Sequence, residues 1–204
     1  MPDVSGKRVF ILGDSLSSGS SSPGGVLARE LTLAGAKVQI NAKVGRSAWN
    51  FYGREDAAGQ LADALAFGPD LVIVELGTND IGLGMAADRV RMIQIRDAMA
   101  TKGAKVWGIG PPAFDRTGSA QLDVDLVTAM MGDVFSPRFL NWQALTSDMT
   151  TSPMRTSDGV HFTAQGAELA GKRLAREFLS AHEGGGAGLV TLGLIALAAW
   201  ALFR

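Results

Sequence analysis

Leu71-Val72-Ile73-Val74-Glu75-Leu76 is an almost unbroken apolar run, with Asp70 before it and Gly77 after it. It lacks the alternation of a strand with one wet face, so it fits a central parallel strand buried on both sides. A parallel strand needs a long crossover, usually a helix, to reach its neighbour. The rest of the chain supplies that alternation. Strands are expected at residues 9–12, 37–41, 71–76, 105–109 and 138–142. Helical patterns occupy 26–34, 48–67, 86–102 and 120–135, and a last helix follows Thr163, a good N-cap. Gly35, Gly68-Pro69 and Gly103 stop three of the helices. In the last helix Ala167, Leu174 and Phe178 fall on the inward face, with Lys172, Arg173 and Arg176 toward water. The pattern is that of an α/β fold, a five-stranded parallel sheet with right-handed crossovers and helices on both faces.

A chain of 204 residues, 47% of them apolar, suits one domain with a sizeable core. Its net charge is −1 and it has no basic cluster, which argues against a nucleic-acid partner. The absence of cysteine excludes disulfides, thiolate metal sites and a cysteine nucleophile. No lysine lies between Lys7 and Lys37 and there is no GxGxxG spacing, so a phosphate cradle is not expected after the first strand. One histidine near the acidic candidates makes a weak metal site, and neither metal nor cofactor is expected. Residues 1–7 are polar, without the pattern of a signal peptide.

The reactive side chains fall at the carboxyl ends of the strands, the edge where open α/β sheets bind ligands. Ser15 follows the first strand in Gly13-Asp14-Ser15-Leu16-Ser17-Ser18-Gly19. Gly45 follows the second, Asn79 the third, and Asp158 and His161 the fifth. These types suit acyl transfer. A serine hydroxyl needs a base to become a nucleophile, and His161 is the plausible one, since His182 borders a Gly-rich linker. Asp158, three residues before His161, is close enough to fix the imidazole tautomer. The Ser15 and Gly45 N–H groups and the Asn79 amide are candidate oxyanion donors. Trp49, Phe51 and Tyr52 either wall an acyl pocket or pack a helix onto the sheet. The segment 111–118, with Phe114, Asp115 and Arg116, either shapes the substrate site or is a solvated loop.

Taken together, these residues resemble the SGNH hydrolases of the GDSL esterase/lipase group. Gly13-Asp14-Ser15-Leu16-Ser17 resembles the first block of that family and Gly45 stands at the second. Gly77-Thr78-Asn79-Asp80 is similar to the third and Asp158-Gly159-Val160-His161 to the last, in the family order. The resemblance implies a three-layer α/β/α sandwich with a flavodoxin-like sheet. It implies Ser15 as nucleophile, His161 as base with Asp158, and an oxyanion hole of Ser15, Gly45 and Asn79. The implied substrates are small-molecule or glycan esters, cleaved through an acyl-enzyme; no long lid segment is apparent in the sequence, so a short or medium acyl group is expected. A non-catalytic binding module on the same fold is the alternative.

The hydrolase domain is expected over 1–182, with a Gly-rich linker and apolar tail over 183–204. From Ala187 to Phe203 seventeen residues carry no charge. As a helix they span about 25 Å, short for a ~30 Å hydrocarbon core. The tail fits a membrane anchor, a helix packed on its own domain or a neighbouring subunit, or a sorting tail. The anchor is the expectation, with the domain on the cytoplasmic side, because Lys172, Arg173 and Arg176 precede the tail and only Arg204 follows it.

Overall fold

The computed structural model describes residues 4–183 except 54–56, 83, 101–102 and 116–118. The Ala187 to Phe203 tail lies outside the described residues, as do the side chains of Tyr52 and His182. Among the described residues no helix is long and apolar enough to cross a membrane.

Five parallel strands form one sheet: β1 (Arg8–Gly13), β2 (Lys37–Ala42), β3 (Leu71–Glu75), β4 (Lys105–Ile109) and β5 (Phe139–Leu140). Their spatial order is β2-β1-β3-β4-β5, so the chain reverses direction across the sheet between β1 and β3. In register, Leu12 pairs with Asn41 on one side and Val74 on the other. Every residue of β3 is buried, as its apolar run requires.

Seven helices connect and cover the strands among the described residues: α1 (Pro23–Leu33), α2 (Ala48–Gly53), α3 (Ala57–Phe67), α4 (Met85–Met99), α5 (Ser119–Phe135), α6 (Trp142–Leu145) and α7 (Ala164–Glu183). The two-residue period of the strands divides the core in two. Val9 and Ile11, Leu71 and Ile73, and Trp107 and Ile109 pack with Leu27, Leu31, Leu174 and Phe178 of α1 and α7. Phe10, Leu12, Val72 and Val74 pack on the opposite face with Phe51, Met92, Ile95, Val127 and Met131. The layers are therefore helix, sheet, helix. Each fully buried Leu, Ile, Val or Phe contributes about 1.5–3 kcal/mol of apolar transfer.

Most elements differ from the sequence expectation by a residue or more at an end, and three of the differences change the architecture locally. α1 starts at Pro23 rather than residue 26, because the Ser22 hydroxyl accepts the Gly25 N–H and Pro23 suits the first helical position. The single helix expected over 48–67 is two, α2 and α3. The fifth strand stops at Leu140 because the Asn141 side chain accepts the Ala144 N–H at 3.0 Å and starts α6. The Thr163 cap is present, its hydroxyl accepting the Gly166 N–H at 3.2 Å. Ala167, Leu174 and Phe178 are buried as expected; Arg173 is only half in water and ion-pairs with Asp148.

Candidate active site

Ser15 leaves β1 at the start of a single 3-10 turn, Ser15–Ser17. Asp14, fully buried, caps this turn by accepting the Leu16 N–H at 2.8 Å. The turn is held from below by Glu75, the last residue of β3. Its Oε2 accepts the Ser17 hydroxyl at 2.9 Å and the Asp14 N–H at 3.4 Å. Two carboxyls thus share one buried spot. Burial, then the Asp14 charge, hold the Glu75 carboxyl well above its ordinary range. Burial also raises Asp14, to about 6, against the pull of the Leu16 N–H, His161, Glu75 and Arg46.

The candidate base, His161, comes from the loop beyond β5 and α6. A one-pair antiparallel bridge, Arg155 with Phe162, closes the loop that carries Asp158 and His161. The buried Arg155 guanidinium donates to the Met149 carbonyl at 2.9 Å and to the carbonyls of Val160 and Ala113. It also lies 3.5 Å over the Phe162 ring, which stacks on Trp142 at 5.8 Å. Burial lowers Arg155 to about 10, and it stays charged at neutral pH. Within the loop, Asp158 Oδ1 accepts the N–H groups of Val160 and His161 and the Thr156 hydroxyl at 2.7–2.9 Å.

The consequence is a continuous chain of hydrogen bonds. His161 Nδ1 lies 2.7 Å from Asp158 Oδ2, and His161 Nε2 lies 2.9 Å from Ser15 Oγ. The imidazole bond, followed by the His161 N–H and the Thr156 hydroxyl, drives Asp158 far below the usual carboxylate range. An ionised Asp158 fixes the proton on Nδ1 and leaves Nε2 to accept from the serine.

Gly45 and Asn79 also converge. Gly45 sits in the turn after β2 at φ +74°, a left-handed conformation that a side chain disfavours. That turn is drawn to β1 by the Lys43 N–H, which donates to the Gly13 carbonyl at 3.2 Å. Asn79 lies in a second 3-10 turn, Thr78–Asp80, at the end of β3. Its amide Nδ2 donates to Asp14 Oδ2 at 3.1 Å and to the Arg46 carbonyl at 3.0 Å. Both partners are acceptors, which fixes the amide's orientation. Both amide hydrogens are thus engaged, one by Asp14 and one by Arg46. Asp80, next in line, accepts the Ala48 N–H at 2.8 Å and pins the start of α2. Burial, and then the charge of Asp88, raises Asp80 to about 7.

The weaker candidates divide. Phe51 is fully buried in the core, whereas Trp49 is 45% exposed with Arg91 stacked at 3.7 Å. In the 111–118 segment, residues 111–114 are buried and Asp115 is exposed; Arg116 lies outside the described residues. Asp115 borders a cleft of about 510 Å³ together with Thr151, Ser152, Thr156, Ser157 and Asp158. Sequence reasoning missed four supporting residues: Asp14, Glu75, Arg46 and Arg155. Glu75 alone carried a signal, because a carboxyl inside a strand buried on both faces must find a partner.

The chain resembles several solved structures. It shares 16% identity with an acetylxylan esterase from Geobacillus stearothermophilus, covering 87% of this chain and 96% of that one, at a TM-score of 0.67. A lipase/acylhydrolase from Enterococcus faecalis is 20% identical over 86% and 96%, at 0.63. The psychrotrophic esterase EstA from Pseudoalteromonas sp. is 14% identical over 87% and 99%, at 0.65. At these identities the likeness establishes the fold. No curated protein sequence matches the chain. The family model of the GDSL-like lipases and acylhydrolases matches residues 11–169, from β1 into α7. The chain belongs to the GDSL-like lipase/acylhydrolase family.

Proposed function

We propose that this hydrolase cleaves a carboxylic ester through an acyl-enzyme on Ser15. The observation that carries the reading is the 2.9 Å and 2.7 Å chain from Ser15 Oγ through His161 to Asp158. His161 Nε2 takes the hydroxyl proton as Ser15 Oγ attacks the ester carbon. The imidazolium is held by the Asp158 carboxylate and passes its proton to the departing alcohol. A water then attacks the acyl-serine with the same base, releasing the acid and restoring the serine. The Ser15 and Gly45 N–H groups and the Asn79 amide stabilise the oxyanion in both steps. The acyl group is short or medium. The alcohol part is a small molecule or a glycan, a reading supported by the hydroxyl-lined cleft beside Asp158.

A fluorophosphonate probe tests the assignment. Wild-type protein is expected to be labelled on Ser15, while Ser15→Ala takes no label and His161→Ala reacts far more slowly. Each variant is expected to keep its fold and lose nearly all hydrolysis of 4-nitrophenyl acetate. A wild-type chain that takes no label is a binding module on a hydrolase fold.

A further inference from the structure

Arg46 stands next to Gly45 and is one of the largest fully buried side chains, with 1% of its surface exposed. An arginine is rarely hidden unless its donors are used. Here Nη1 donates to the Gly13 carbonyl at 2.9 Å and to the Asn41 carbonyl at 2.7 Å. Nη2 donates to Asn41 Oδ1 at 2.9 Å and to Gln60 Oε1 at 2.6 Å. The guanidinium therefore ties together the last residues of β1 and β2 and one turn of α3. Gly13 lies two residues before Ser15. The main-chain carbonyl of Arg46 itself accepts the Asn79 amide at 3.0 Å.

We propose that Arg46 is a positioning residue for the oxyanion hole, its side chain locking the Gly45 turn to the sheet so that its own carbonyl aims the Asn79 amide. This rests on the reading of Gly45 and Asn79 as oxyanion donors. A planar fork is needed, because the four acceptors sit on two strands and a helix. A lysine at this position keeps the charge but offers one nitrogen, too few to hold both strand ends. The turn then loosens by a fraction of an ångström to an ångström. Such misplacement costs up to about 100-fold in rate without changing which groups touch the ester.

The test is steady-state kinetics on 4-nitrophenyl acetate with Arg46→Lys, Asn79→Ala and the double variant. For Arg46→Lys, kcat is expected to fall about 10- to 100-fold with KM within about threefold, because only transition-state contacts are disturbed. Arg46 works in part through the amide and in part through the Gly45 turn, so Arg46→Lys is expected to slow Asn79→Ala clearly less than it slows wild type. A folded Arg46→Lys with wild-type kcat overturns the proposal, as do losses that multiply in the double variant. Should Arg46→Lys fail to fold, Gln60→Leu removes one of the four acceptors from the α3 side. It is expected to lower kcat a few-fold at constant KM, and an unchanged kcat overturns the proposal. An Asn79→Ala chain with wild-type kcat would instead bring down the oxyanion assignment itself, and this inference with it.

Discussion

Replacing Asp80 by asparagine should make the protein more stable at high pH and hardly change it at low pH. Asp80 is buried to 1% exposure, and its carboxyl sits at about 7 rather than at 3.8, because burial and the neighbouring Asp88 disfavour its charge. Between about pH 4 and pH 7 the folded chain holds this proton and the unfolded chain releases it. Folding is therefore favoured by acid here, and the contribution is lost as pH rises through 7. At about 1.4 kcal/mol per pH unit, keeping the ionised group buried costs up to about 4 kcal/mol at pH 8. Asparagine carries no charge to bury and keeps an oxygen facing the Ala48 N–H. Glu75 is common to both proteins, whereas Asp14 faces Asp80, so removing the Asp80 charge also eases the ionisation of Asp14 and adds to the difference in the same direction. Urea unfolding of wild type and Asp80→Asn, followed by tryptophan fluorescence from pH 4 to pH 8, reads the difference directly. The advantage of the variant is expected to grow by about 2–4 kcal/mol across that range. A difference that stays flat, or that swings toward wild type as pH rises, refutes the buried-charge account.

Two further outcomes follow from the geometry, and a third from the sequence of the tail. Asn79→Ala should lower kcat by about 10²–10³ with a much smaller change in KM, as for one oxyanion donor; a raised KM at constant kcat would make Asn79 a substrate-binding residue. Gly171→Ala should destabilise the domain, since the added Cβ would lie 2.5 Å from the Pro23 carbonyl oxygen and from Val26 Cβ, where α7 crosses α1. Overpacking of about 1–3 kcal/mol opposes a helix-propensity gain of about 1 kcal/mol, and a raised melting temperature would show that α1 yields freely. The tail is expected to carry the full chain into membrane pellets that resist carbonate extraction, while a chain ending at His182 stays in the supernatant and is fully active; equal partitioning of both excludes the anchor.

The convergence of the candidate residues was legible in the sequence further than their supports were. Residues 105–109 were read as a strand with the observed limits, because β-branched and apolar residues there lie between a glycine stop and Gly110-Pro111. Ser15, Asp158 and His161 stand out because their spacing places them at strand ends, and the local turn between Asp158 and His161 needs no long-range contact. The two buried arginines were hidden for the opposite reason. Arg46 and Arg155 are charged residues in loops, where the ordinary expectation is solvent, and only the folded chain gathers the carbonyls that take them inside. The 3-10 turns at Ser15–Ser17 and Thr78–Asp80 escaped notice because three residues carry no periodicity. β5 was read too long because Trp142 looks like a strand residue, while the deciding contact is the Asn141 side chain bending back on Ala144.

The loop that carries Asp158 and His161 is a cassette. Three donors and the imidazole all bind Asp158 within a span of six residues, from Thr156 to His161. The distant partner of the pair is Ser15, 146 residues earlier in the chain. The orientation of the His161 ring is thus written into a short local segment, and its distance to Ser15 is written into the packing of the whole domain. A substitution elsewhere in the domain that shifts how this cassette packs therefore changes the separation of His161 from Ser15, and leaves the Asp158–His161 pair as it is.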